Sequence, residues 1–175
     1  MKLTIVEYPN KKLKEKSKAV EKFGKELHEL LDAMYETMLK SNGIGLAAIQ
    51  VGHAKQALLL NIPDEEDKQS IDTLIEMINP IIIQKNGETV YQEGCLSVPS
   101  FYEDINRYEN ITVNYQDRDG NTKTVEASGL LSIAIQHEID HLNGILFIDK
   151  LSYSRRKKFE KEYKRVQKEK KFSKS

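Results

Sequence analysis

Five residues constrain this chain more than any others: positions 137–141 read HEIDH, inside an otherwise apolar segment from Leu130 to Asn143. On a helix, residues four apart lie one above the other, so His137 and His141 can reach a single ion. Leu130, Ile133 and Ala134 extend the same face as an apolar wall, and Gly144 supplies a stop. Two histidines and a carboxylate are costly in such a helix unless they serve a purpose. The H-E-x-x-H spacing supplies one: two metal ligands, with Glu138 directly after the first and able to hold a water beside the ion. The chain must fold around this helix.

A catalytic site of this kind needs a third protein ligand and one position left open. The long pattern H-E-x-x-H-x-x-G-x-x-H matches through Gly144 and then meets Phe147, which cannot ligate. A downstream glutamate, as in thermolysin-like enzymes, would have to be Glu160 or Glu162, both in a charged C-terminal segment. Cys95 is the better choice, because it follows a strand within the Gly- and Pro-bounded segment QEGCLSVP. A lone cysteine is more often a small buried hydrophobe. A Cys–His nucleophile is also conceivable, though a helix already carrying a metal pair and a base disfavours it.

The rest of the chain predicts one α+β domain, with antiparallel strands packed around the central HExxH helix. Leu27, Leu30, Leu31, Met34 and Met38 recur at helical spacing over Lys25 to Lys40, with Asn42-Gly43 as a stop. Gln56 to Ile62 reads as a short buried strand. Leu74 to Gln84 is β-rich but interrupted at Asn79-Pro80, which predicts an edge strand or a bulge. Asn86-Gly87 signals a hairpin into Glu88 to Gln92. Ile111 to Tyr115 and Lys123 to Glu126 form two strands across a turn at Asp117 to Asn121, and the polar loop from Pro63 to Asp72 carries no assignable chemistry.

Lys+Arg and Asp+Glu balance at 27 each, but not evenly. Residues 152–175 hold 11 basic and 3 acidic groups, so this basic helix is net +8 and the catalytic body, 1–151, is net −8. No apolar run approaches a membrane span of roughly 18 residues. The N-terminus lacks a secretory pattern, and a single cysteine makes no internal disulfide, so the expected compartment is the cytoplasm.

Three segments together, GIGLAAIQ (Gly43 to Gln50), EGCLS (Glu93 to Ser97) and QHEIDH (Gln136 to His141), resemble the three signature motifs of bacterial peptide deformylases, in order. The likeness spans most of residues 1–150. It implies metal ligation by Cys95, His137 and His141, with Glu138 as general acid/base. It implies that Gln50 and the Leu96 N–H hold the substrate oxygen and that Gly45 lets the backbone come close. Gly43, Ile44, Ile133 and Ala134 would line the methionine pocket. Many family members carry an arginine seven residues after the cysteine; here that residue is Tyr102. Arg107 falls where a second arginine is common and could pair with Glu93 to brace the cysteine loop.

The reaction so implied removes the formyl group from formyl-methionine of newly made polypeptides. It releases formate through attack by a hydroxide generated at the metal. Coordination chemistry leaves zinc, iron, cobalt or nickel open. The resemblance implies Fe²⁺ in the cell, with Zn²⁺, Ni²⁺ or Co²⁺ as substitutes, and a monomer is expected. The helix from Ser154 to Lys171 has a thin apolar seam, Phe159, Tyr163 and Val166, and its charge suits either a solvated face or ribosomal RNA. A zinc peptidase would need neither Cys95 nor Gln50, and a metal- or RNA-binding module would need no catalytic glutamate.

Overall fold

The apolar stripe at Leu27, Leu30, Leu31, Met34 and Met38 forms helix α1, Lys25–Lys40, in the computed structural model, which describes residues 1–173. Asn42 takes a left-handed φ of 57°, and the Gly43 N–H returns to the Met38 carbonyl at 2.9 Å, closing the helix. Five strands follow: β1 (Gly45–Ala47), β2 (Ala57–Leu60), β3 (Ile75–Cys95), β4 (Val98–Gln116) and β5 (Thr122–Ser128). They form one antiparallel sheet in the order β1-β2-β3-β4-β5. Helix α2, Gly129–Leu142, carries HEIDH, and helix α3, Tyr153–Ser173, is the basic tail. Residues 174 and 175 of the basic segment lie outside the described residues.

The sheet explains why β2 reads as an unbroken apolar run. Alternate side chains point to opposite faces. Ala57 and Leu59 pack with α1, while Leu58 and Leu60 pack with Ala134, Ile135 and Leu142 of α2. Both faces of β2 are covered, so no position along it can be polar. Burying each such leucine contributes roughly 1.5–3 kcal/mol. This double packing makes α2 the centre of the molecule. Gln136 fastens it to the sheet, accepting from the Tyr108 N–H at 3.0 Å and donating to the Tyr108 carbonyl at 2.8 Å.

The interruption at Asn79-Pro80 is a bulge inside β3, where the register shifts between Ile78 and Ile81. Proline has no N–H for the ladder. The Asn79 side chain instead bonds the Val20 N–H and carbonyl, at 2.8 and 2.9 Å. The hairpin expected at Asn86-Gly87 is absent, and β3 runs straight through it. A two-residue turn of this kind needs positive φ at both central residues, and only Gly87 has it, at 72°. Residues 88–93 pair instead with 103–108, a stretch with no strand assigned from sequence. The real hairpin is at Leu96-Ser97, between Cys95 and Val98, inside the EGCLS segment.

A third cluster gathers Leu13, Val98, Ile105, Phe147 and Ile148, and α3 closes it with Phe159. Phe159 meets Phe101 edge-on at 5.1 Å, and the Tyr163 hydroxyl donates to the Tyr8 carbonyl at 3.0 Å. Of the seam expected at Phe159, Tyr163 and Val166, the first two form the docking edge of α3, and Val166 is not part of the cluster.

Candidate metal centre

The turn at Leu96-Ser97 leaves Cys95 at the end of β3, directed at α2. Its Sγ lies 3.4 Å from His141 Nε2, and one ligand atom each from Cys95, His137 and His141 falls within 4.8 Å of the others. Three donors, one sulfur and two imidazole nitrogens, suit one divalent transition metal. Glu138 Oε1 is buried with no hydrogen-bond partner among the described residues, as a carboxylate serving a water beside such an ion would be. The residues present fit a metal. The competing glutamates do not: both lie on α3, where Glu160 accepts from Arg156 at 3.2 Å and Glu162 pairs with Arg165.

The ligand rings are held from behind. His137 Nδ1 lies 2.9 Å from Glu93 Oε1, which leaves Nε2 to face the sulfur. Glu93 in turn accepts two bonds from Arg107, at 2.6 and 2.8 Å. Arg107 also reaches Asp140 at 2.6 Å. The pairing of Arg107 with Glu93 expected from sequence is therefore present, but as part of a larger network. Asp140 carried no signal of its own in the sequence: it stands three residues after His137 on α2, and only the fold brings Arg107 to it.

Burial and mutual charge set the protonation pattern. Burial acts to raise Glu93, but Arg107 and His137 outweigh it and hold the carboxyl below its usual range. Burial, with a smaller contribution from Glu93 and against the pull of His137, pushes Glu138 up to about 7. Burial and the charge of His137 hold His141 well below the ordinary histidine range, which keeps its lone pair available. For His137 burial pulls downward, and Glu138, Cys95 and Glu93 together carry it upward.

Gly43, Ile44, Gly45, Gln50, Cys95, Leu96, Ile133, Ala134, His137 and Glu138 all line one cavity of about 510 Å³, and His141 sits fully buried behind it. The metal-ligating, catalytic and pocket residues implied by the resemblance thus lie together in this place. Gly45 is required there: a Cβ would stand 2.6 Å from Glu138 Oε2. The Gln50 side chain is fixed at both ends, accepting from the Ala47 N–H at 2.9 Å and donating to Ser97 Oγ at 3.1 Å. Two contributors went unseen in the sequence. Ser97 was hidden within a motif read for its cysteine. Gln69, in the loop given no chemistry, donates to the carbonyls of Gly43 and Asn61 at 2.9 and 2.8 Å, pinning the cavity wall. Neither has a local pattern that could have found it.

Comparison with known proteins agrees with this geometry. The family model described as polypeptide deformylase matches residues 2–157. A peptide deformylase of Nautilia profundicola is 57% identical over 168 residues, covering 96% of this chain and 97% of the relative. One from Wolinella succinogenes is 56% identical, covering 94% and 97%. The crystal structure of a peptide deformylase from Legionella pneumophila superposes with a TM-score of 0.85 at 36% identity, over 95% of this chain and 98% of that one.

Proposed function

Since the chain belongs to the polypeptide deformylase family, it is an enzyme that removes the N-terminal formyl group from nascent peptides, and we propose that Cys95, His137 and His141 hold its one divalent metal while Glu138 moves the protons. The convergence of those three ligand atoms on the floor of the cavity carries this reading. When bound, the ion supplies Lewis acidity, polarising the formyl carbonyl and lowering the pKa of water from about 15.7 toward 7.

The side chains then divide the work. Glu138 takes a proton from the attacking water as the new C–O bond forms, and its elevated pKa suits both taking and returning a proton near neutrality. The developing oxyanion is held by the Gln50 amide and the Leu96 N–H; loss of one such donor typically costs about 2.7–4 kcal/mol. Glu138 returns the proton to the amine nitrogen as the C–N bond breaks, and formate and the free N-terminus leave. Gly43, Ile44, Ile133 and Ala134 take the methionine side chain, and Gly45, having no Cβ, lets its backbone lie close to Glu138. Glu93 and Arg107 orient His137.

The metal in the cell is Fe²⁺, with Zn²⁺, Ni²⁺ or Co²⁺ able to substitute; the mixed Cys/His set supports a transition metal of this group. The enzyme acts as a cytoplasmic monomer. Helix α3 brings it to the ribosome: Lys158, Lys161, Lys164, Lys168 and Lys171 are exposed while Phe159 docks the helix. Elemental analysis of anaerobically purified protein, paired with formate release from formyl-Met peptides, tests the core of the proposal. Iron with turnover supports it. Absence of deformylation with every one of these ions overturns it.

A further inference from the structure

Tyr102 is 63% exposed, yet its place on the strand is well defined. Its ring lies against Gly94, the residue before Cys95, where a Cβ would stand 2.6 and 2.7 Å from ring carbons. Only a glycine lets the ring occupy that place. Ser100, two residues earlier, takes a positive φ of 71°, turning the chain into this position. On either side of Tyr102, α3 holds the strand. Phe101 packs against Phe159 and Tyr163, Arg155 bonds the Glu103 carboxylate at 2.9 Å, and the same guanidinium reaches the Asp104 carbonyl at 3.0 Å. Since strand neighbours alternate faces, Phe101 and Glu103 face the helix and Tyr102 faces the cavity.

An exposed aromatic ring normally wanders among rotamers, and ordering it costs entropy. Here the strand that carries the ring is held by α3, and the ring rests on Gly94, next to a proposed metal ligand, where it lines the reaction cavity. Consecutive Cα atoms lie about 3.8 Å apart, so a peptide whose first residue fills the cavity must carry its second past this rim. Among the described residues no lysine or arginine lines the cavity. Arg107 is spent on Glu93 and Asp140, and Arg155 on Glu103. The rim offers an aromatic face and no cation.

Resting on the deformylase reading, we propose that Tyr102 is a specificity-determining residue. Its ring takes the side chain that follows the formylated residue and favours apolar or aromatic side chains over acidic ones. The test is competition between formyl-Met-Phe-Ser and formyl-Met-Glu-Ser in one reaction. The ratio of their kcat/KM values is then independent of how much protein carries metal. The wild-type chain favours the Phe peptide. Tyr102→Ala lowers the Phe-to-Glu ratio about three- to tenfold, the range for loss of one aromatic pair. Tyr102→Phe keeps the ratio, and Tyr102→Arg raises the Glu peptide. Calorimetric binding of the products Met-Phe-Ser and Met-Glu-Ser follows the same order without turnover. An unchanged ratio in both the Ala and Arg variants overturns the inference while leaving deformylation intact. If the wild-type protein releases formate from neither peptide, the underlying reading falls, and the inference with it.

Discussion

At the scale of single residues, the site separates groups that act from groups that hold. Glu138 has an unpartnered buried oxygen, whereas Glu93, equally buried, has both oxygens engaged by Arg107 and His137. Two carboxylates close to one histidine thus stand in opposite environments, which suits Glu138 to the proton transfer proposed for it and Glu93 to holding. Replacing Glu138 with Ala should leave metal content near that of the wild type and reduce formate release by about 10²–10⁴-fold. Cys95→Ala should lose metal and turnover together; full metal occupancy in that variant would reassign the third ligand. Glu93→Gln leaves the buried Arg107 with Asp140 as its remaining carboxylate partner, and weakening a buried pair in this way costs up to roughly 3–5 kcal/mol. Urea unfolding should register the loss, and metal affinity should drop about 10–100-fold as His137 loses its brace. Unaltered stability and metal content in Glu93→Gln would show the network to be idle.

At the scale of elements, the long hairpin of β3 and β4 does two jobs with one turn. Its tip places Cys95 and the Leu96 N–H, and its flank carries Tyr102 across Gly94. Helix α3 secures the flank. Phe159 is 2% exposed and touches the rings of Tyr8, Phe101 and Tyr163. Phe159→Ala should therefore destabilise the protein by about 3–5 kcal/mol, seen as a shift of the thermal midpoint. A negligible shift would mean that α3 is only loosely attached. Asp149 joins three elements, bonding Lys14 and Arg156 at 2.7 Å each and the Leu146 N–H at 2.8 Å. Burial works against its charge, but Lys14, the Leu146 N–H and Arg156 prevail and lower its pKa. A carboxyl lowered on folding contributes stability above its unfolded pKa of about 3.9 and loses it as pH falls through the folded value. The stability gap between the wild type and Asp149→Asn should be level at neutral pH and shrink below about pH 4. A gap insensitive to acid would remove the ion pairs from the account.

Over the whole molecule, a net charge of zero conceals an acidic body and a basic helix. Electrostatic binding to RNA depends on how many cations meet phosphate, and it weakens steeply with salt. Changing Lys158, Lys161, Lys164 and Lys168 to Gln should lower ribosome affinity and flatten its salt dependence, measured by co-sedimentation, while formyl-tripeptide turnover persists. Retained affinity would refute the role proposed for α3. These substitutions serve better than truncation, which would also strip Phe159 from its cluster. The chemistry was legible in the sequence because its parts are local. HEIDH needs only the pitch of a helix, β2 announces its two covered faces by lacking polar residues, and the tail states its charge outright. What required the folded chain was everything set by partners distant in sequence. Asn86-Gly87 looked like a turn because turn chemistry is local, but residues 88–93 found a better partner in 103–108. The bonds from Gln69 to Gly43, from Ser97 to Gln50 and from Asp140 to Arg107 join positions whose proximity no periodicity encodes. A sequence determines which groups are available and how they repeat along one element; only tertiary packing, through contacts between elements, decides which of them are brought face to face.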